Sequence, residues 1–276
     1  MRQGKLVRFI KSIGKHIAIY FCLAVTFFPF LWMILASLQS QNDIMNSAKG
    51  LFNFVPSMKN YLTVFQQYSF VTPILNSAFV AIAATICALM LGLPAAYAIA
   101  RFRMNKMGMI VLVVRMIPGI TFLVPWFTIF TKIGLIDTYT SLVLSHMLVA
   151  LPFIVWIMVP FFESLPRELE EAAWVDGSSQ VGAFFFIVLK LSMPGILTAS
   201  LLSIIFSWNN FMFSLVLSGS KTITLPIAIF SFVSYASVDW GGLMAAAVVI
   251  TLPIIALSIC LQKYIVGGLT AGAVKG

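Results

Sequence analysis

Six apolar runs, each longer than 20 residues, constrain this chain more than any other feature. They lie at about Ile17–Leu38, Val71–Ala100, Gly108–Phe130, Thr138–Phe161, Pro194–Leu217 and Gly241–Leu261. A helix of about 20 apolar residues crosses the ~30 Å hydrocarbon core of a bilayer. The runs do not alternate in polarity, as the roughly 10-residue strands of a membrane barrel would. Only 9% of the residues are charged and 61% are hydrophobic, against about 25% charged in a soluble domain. The expectation is an all-α polytopic membrane protein with six transmembrane helices, forming a single transmembrane domain over residues 1–276.

Charge placement orients the helices. With six spans both termini share a side. That side carries Arg2, Lys5, Arg8, Lys11, Lys15, Arg101, Arg103, Lys106, Arg167, Lys190, Lys263 and Lys275, and the other carries Lys49, Lys59, Lys132 and Lys221. Cytoplasmic loops hold the excess of Lys and Arg, so both termini are expected in the cytoplasm. The same placement makes the net charge of +9 a topology signal and not a nucleic-acid footprint. The basic N-terminus resembles a signal peptide, but Ile17–Leu38 exceeds the 7–15 residues of a signal core and reads as a retained first helix. Cys22, Cys87 and Cys260 each sit in an apolar run without a CxxC partner, so neither metal nor disulfides are indicated.

Five of the eight acidic residues fall between Glu163 and Asp176. In this segment, expected in the cytoplasm at 163–193, Pro166 suits the first turn of a helix. Glu168, Glu170 and Glu171 follow, where the helix dipole favours acids. Leu165, Leu169 and Ala172 or Ala173 share a face at helical spacing. Gly177 is a natural left-handed cap, and Ser178 or Ser179 suits the cap of a second helix leading to span five. The pattern predicts a helix–turn–helix with a small-residue face suited to docking; an ordinary solvated connector would carry the same charges. No phosphate-binding loop occurs: Gly219-Ser220-Lys221-Thr222 lacks the upstream Gly and lies on the opposite side. An ATPase that powers the protein would be another chain.

Here the sequence resembles a known family. Glu171-Ala172-Ala173, Gly177, Ile187 and Leu189 stand at the spacing of the EAA motif of ABC-importer permeases. The form Glu170-Glu171-Ala172-Ala173-Trp174-Val175-Asp176-Gly177-Ser178 is similar to that of the maltose-type, carbohydrate-importing group. Asn76-Ser77, Ala95–Arg101, Gly134-Leu135-Ile136-Asp137-Thr138, Ser207-Trp208-Asn209 and the tail Gly268–Gly276 agree with it. Lys190 departs, standing where the pattern usually has Pro, while Pro194 is retained. The resemblance implies an ABC-importer permease fold in a bacterial or archaeal plasma membrane. It implies a second permease subunit, most simply in a heterodimer, an ABC ATPase dimer and an extracytoplasmic sugar-binding protein. ATP and Mg would be held by the ATPase subunits, with no cofactor in this chain. Glu170, Glu171, Ala172, Ala173, Asp176 and Gly177 would form the ATPase-coupling contact. The outer loop at about Ser218–Trp240 would reach toward the binding protein.

Substrate-path candidates are Arg115, Trp208, Asn209 and Asn210. A cation in a span is costly and normally faces the bundle interior. Arg115 either lines the path and favours an anionic sugar, or snorkels to the surface or pairs with a neighbouring subunit. Trp208, Asn209 and Asn210 offer an aromatic face and amides for a sugar, or interhelical hydrogen bonds. His146 reads as a satisfied interior histidine rather than a ligand. The alternative of an ion-coupled secondary transporter normally needs acids or His relays in its spans, and none of the eight acids lies in one.

Overall fold

In hydrocarbon a chain must satisfy its backbone groups internally, so the apolar runs fold as helices and break only where protein or water meets the break. The computed structural model describes residues 2–46, 53–234 and 237–271, with side chains for 12–46, 53–234 and 237–262. The end of the Gly268–Gly276 motif, Lys49, and the side chains of Arg2, Lys5, Arg8, Lys11 and Lys263 lie outside them. Among the described residues the protein is helical, with one isolated antiparallel bridge between Val233 and Val238.

Four helices are long and apolar enough to cross a membrane, or six when each of two bent pairs counts as one span. They are α1 (Arg2–Ser37), α4 (Val71–Arg101), α7 (Tyr139–Ser164) and α14 (Trp240–Ala271), with short helices α2 (Gln41–Met45) and α3 (Lys59–Gln66) after α1. The third expected span is broken. Helix α5 (Asn105–Met116) meets a 3-10 turn (Gly119–Phe122) and α6 (Leu123–Lys132) at 86°. Pro118 cannot donate to the helical ladder, and Ile117 before it is extended (ψ 122°), as a residue preceding proline prefers.

The fifth span also differs from the expected unbroken Pro194–Leu217. Helix α11 (Met193–Trp208) ends at Asn209, and α12 (Met212–Leu217) follows. The side chain of Asn210 accepts the Phe213 N–H at 3.1 Å, satisfying one of the orphan donors that open α12. The sixth helix runs to Ala271, past the expected end at Leu261. Between α12 and α14 lie α13 (Leu225–Ala228) and a 3-10 turn (Ile229–Phe232).

The chain divides into two compact units. One comprises Met1–Ser69 and Ser231–Val249, the other Phe70–Phe230 and Ile250–Gly276. In the first unit, apolar side chains of α1 from Ile13 to Leu31 lie exposed, which suits contact with lipid or another subunit. Polar ties close this unit: Asn60 Nδ2 donates to Ser37 O and Gln39 O, both at 2.8 Å, and Gln41 Nε2 donates to Val238 O at 2.7 Å.

In the second unit, α4 and α7 form the central pair, and α11 packs on both. The seam is made of small residues. Ala84, Ala88, Gly92, Ala96 and Ala100 line the buried face of α4, against Ile154, Met158 and Phe162 of α7. Lipid is as apolar as these side chains, so close backbone approach and interhelical hydrogen bonds hold such a pair. Thr85 and Ser203 share one such bond at 2.9 Å, and His146 Nδ1 and Ser207 Oγ another at 2.7 Å. A Cβ on Gly92 would lie 3.1 Å from Ile154 Cγ2. Gly92→Val is therefore expected to destabilise the bundle by about 1–3 kcal/mol through overpacking. Gly14→Val, with nothing within 4 Å, should be near neutral; thermal unfolding midpoints in detergent check both.

Candidate functional site

The charged segment forms two short helices. Helix α8 (Glu168–Val175) starts after Arg167, so Pro166 precedes the helix instead of opening it. Glu168, Glu170 and Glu171 occupy the first turn, where the N-terminal dipole stabilises them. Gly177 ends the helix at φ +90°, a conformation L-residues other than Gly rarely adopt. The Gly177 N–H reaches Trp174 O at 3.0 Å and the Ser178 N–H reaches Ala173 O at 2.8 Å, the paired bonds of a Schellman cap. Ser179 caps the next helix, α9 (Gln180–Ala183), accepting the Gly182 N–H at 3.0 Å.

Helix α9 continues as a π-helical turn (Phe184–Val188) and α10 (Leu189–Leu191). The wider turn buries Phe184 and leaves Phe185 and Phe186 exposed. A 75° bend at Ser192 then leads into α11, with Pro194 in its first turn. The turn into span five thus forms with Lys190 in place of the usual proline.

The buried face of α8 is not the one that residue type suggests. Glu170 and Ala173 are buried, while Leu169, Glu171 and Ala172 are exposed. The reason is a partner distant in sequence. Arg101, the last residue of α4, brings Nε and Nη2 to Glu170 Oε1 at 2.6 and 2.5 Å. The Tyr97 hydroxyl, one turn back on α4, donates to the other carboxylate oxygen. Both charged side chains are less than 10% exposed. Arg101 Nη1 also donates to Leu165 O at 3.2 Å, and Arg167 Nη2 donates to Arg101 O at 2.8 Å. The Tyr97 ring packs on Phe162 and Phe184, tying α8 to α4, α7 and the π-helical turn.

Of the expected coupling residues, Glu170 and Ala173 therefore anchor the helix, while Glu171, Ala172, Asp176 and Gly177 stay on its open side with Leu169, Trp174 and Val175. Val175 is 88% exposed. A cleft of about 220 Å³ opens beside this face, lined by Tyr97, Arg101, Phe102, Arg167, Glu170, Glu171, Trp174 and Gln180. Tyr97 and Arg101 lie in the Ala95–Arg101 motif, but nothing local in the sequence assigns them to Glu170.

Arg115 is exposed and lies against α7. Its guanidinium sits 4.1 Å from the ring centre of Trp156 and 5.1 Å from that of Phe153, both on α7. Arg115 lies ten residues into α5, about 15 Å along it, and Trp156 lies eight residues, about 12 Å, before the end of α7. A cavity of about 280 Å³ lies next to Arg115, bounded by the broken backbone Ile117-Pro118-Gly119, Phe122, Leu148 and Pro152.

Trp208, Asn209 and Asn210 each make a hydrogen bond within the chain. Trp208 is buried and its Nε1 donates to Ile250 O at 3.2 Å. Asn209 Nδ2 donates to Ile205 O at 2.9 Å, and Asn210 caps α12. His146 is interior, as expected, but only partly satisfied: Nδ1 meets Ser207 Oγ, while Nε2 is buried with no hydrogen-bond partner among the described residues. No cluster of metal-ligating side chains occurs among the described residues.

Comparison with known proteins fits this architecture. Residues 88–270 match the family described as the binding-protein-dependent transport system inner membrane component. The chain belongs to that family: it is a permease component of an ABC importer. It is 34% identical to the trehalose/maltose transport system permease protein MalG of Thermococcus litoralis, over all of both chains. It is 32% identical to the sulfoquinovosyl glycerol transport system permease protein SmoH of Agrobacterium fabrum, over 99% of this chain and 95% of that protein. A bacterial ABC transporter that imports the acidic polysaccharide alginate contains a chain of the same fold, with a TM-score of 0.77 and 21% identity over 92% of this chain and 96% of that one. Family membership sets aside the ion-coupled secondary transporter.

The Glu170 anchor makes a quantitative expectation. Removing one partner of a buried ion pair costs about 3–5 kcal/mol, whereas replacing both by apolar residues is often close to neutral. Glu170→Ala should lower the unfolding midpoint sharply. Arg101→Met with Glu170→Leu should recover most of the loss. Additive losses in the double variant would contradict a coupled pair.

Proposed function

We propose that this chain is one of two permease subunits forming the path for a sugar or sugar derivative delivered by an extracytoplasmic binding protein. Relatives named for trehalose, maltose and sulfoquinovosyl glycerol support a carbohydrate substrate. The excess of Lys and Arg on one side supports cytoplasmic termini in a plasma membrane of bacterial or archaeal type, with α8 facing the cytoplasm. ATPase subunits, which hold ATP and Mg, dock on the exposed side of α8. The observation that carries this reading is the division of that helix. Glu170 and Ala173 fix it to the bundle, and Leu169, Ala172 and Val175 remain uncovered beside Glu171 and Asp176. A small apolar strip on a firmly held cytoplasmic helix suits a partner that pushes on it.

Arg115 belongs to the path in this reading. Its guanidinium makes no hydrogen bond or ion pair with a described residue and rests on an aromatic face next to a cavity. A broken helix at membrane depth is tolerated where it meets protein or a wet cavity. A cation with free donors favours a substrate carrying a carboxylate or sulfonate.

Two experiments test the proposal. Gly177→Pro forces φ near −65° where +90° is needed, and Glu171→Lys reverses charge on the open face. Both variants should insert normally yet fail to retain ATPase subunits on purification; full transport by both would return the segment to an ordinary loop. For Arg115→Gln, uptake of anionic sugars should fall at least about tenfold, the effect of about 1.4 kcal/mol, with uncharged sugars spared. Equal losses for both classes would sink the anion assignment.

A further inference from the structure

The other ends of α4 and α7 carry a second polar clamp. Asp137 sits just before α7 with φ +57°. Its Oδ1 accepts the N–H groups of Gly219 and Thr222 at 2.9 and 3.0 Å and the Thr222 hydroxyl at 2.7 Å, while Oδ2 accepts the Lys221 N–H at 3.2 Å. Asn76 of α4 holds the same segment from its carbonyl side. Its Nδ2 donates to Lys221 O at 3.2 Å and to Ile223 O at 2.9 Å, and its Oδ1 is fixed by the Tyr139 hydroxyl at 2.8 Å. Ser77 Oγ accepts the Leu225 N–H at 2.8 Å. A Cβ on Gly219 would lie 2.6 Å from Asp137 Cγ, so the strand of backbone lies directly on the carboxylate. Burial pushes the Asp137 carboxyl up, but the hydrogen bonds from Thr222, Lys221 and Gly219 outweigh it and hold the group below its ordinary value. The carboxylate is ionised at neutral pH.

We infer that Asp137 and Asn76 are positioning residues that make the 219–225 segment a rigid extension of α4 and α7. Asn76 and Arg101 are 25 residues apart on α4, about 37 Å along the helix. The helix pair that anchors α8 at one end thus grips this segment at the other. Four hydrogen bonds converge on one carboxylate, and bonds to a charged group are stronger than those between neutral groups, so the segment moves with the helices instead of flexing as a surface loop. The functional part of the inference rests on the chain serving a binding-protein-dependent importer. In that setting a partner arriving at the 219–225 end meets a fixed surface, and its contact is felt by the same two helices that carry the ATPase contact.

The test uses the complete reconstituted transporter with wild type, Asp137→Ala, Asp137→Asn, Asn76→Ala and Thr222→Val. Amide exchange in 219–225 should accelerate by about tenfold or more in Asp137→Ala, and least in Thr222→Val, which removes a single bond. Basal ATP hydrolysis should match wild type, while stimulation by the added binding protein should fall in the order of the loosening. Unchanged exchange in both Asp137 variants overturns the clamp. Faster exchange with undiminished stimulation overturns its functional role. A wild-type complex that the binding protein fails to stimulate counts against the importer reading itself, and the exchange data still judge the clamp. Variants of Asp137 that do not assemble leave Asn76→Ala and Thr222→Val to decide by the same readouts.

Discussion

A carboxylate removed from water needs a cation or several hydrogen-bond donors, and in this protein Glu170 meets Arg101 and Tyr97. Much of the arrangement at that end of the bundle follows from the pair. It sets which face of α8 turns inward, and so which residues remain for a partner. It holds Tyr97 against Phe162 and Phe184, so the π-helical turn and the ends of α4 and α7 close on one point. Without the pair, α8 would be an eight-residue helix with little apolar surface to bury, far too short to be stable alone.

The central bundle supplies the stiffness the pair needs. Small side chains along α4 let α7 approach closely, and side-chain hydrogen bonds from Thr85 and His146 bind α11 to the two. Among the described residues the spans are interrupted at Ile117-Pro118, at the π-helical turn and 75° bend before α11, and at Asn209-Asn210. The first adjoins the cavity under Arg115. The bundle is thus rigid along α4 and α7 and interrupted in the spans beside them, which is the distribution expected of a frame around a path.

Local signals in the sequence were dependable and distant ones were not. Run length located α4 and α7 to within a few residues, because hydrophobic thickness fixes helix length. Gly177 and Ser179 announced their caps because capping is decided within a few residues of the helix end. The break at Asn209-Asn210 was hidden, since the apolar run continues on both sides and the amides read equally well as sugar contacts. Glu170 and Glu171 could not be told apart either. Adjacent on a helix, they differ only in that Arg101, 69 residues earlier, stands opposite the first. The tasks of Asn76 and Asp137 were invisible for the same reason, although both lie in stretches that carry the family resemblance.

Those separations also set a timetable. Arg101 leaves the ribosome 69 residues before Glu170, and Asp137 leaves it 82 residues before Gly219. Each early residue waits beside the membrane until the intervening helices have been threaded in the correct sense. The Arg101 bond closes only after α5, α6 and α7 are in place, and the Asp137 bonds close only after α11 and α12 have followed. A span inserted the wrong way round leaves its charge facing lipid or water with no counterpart. The contacts that hold the finished bundle therefore form only when the stretches they join lie on one side of the membrane.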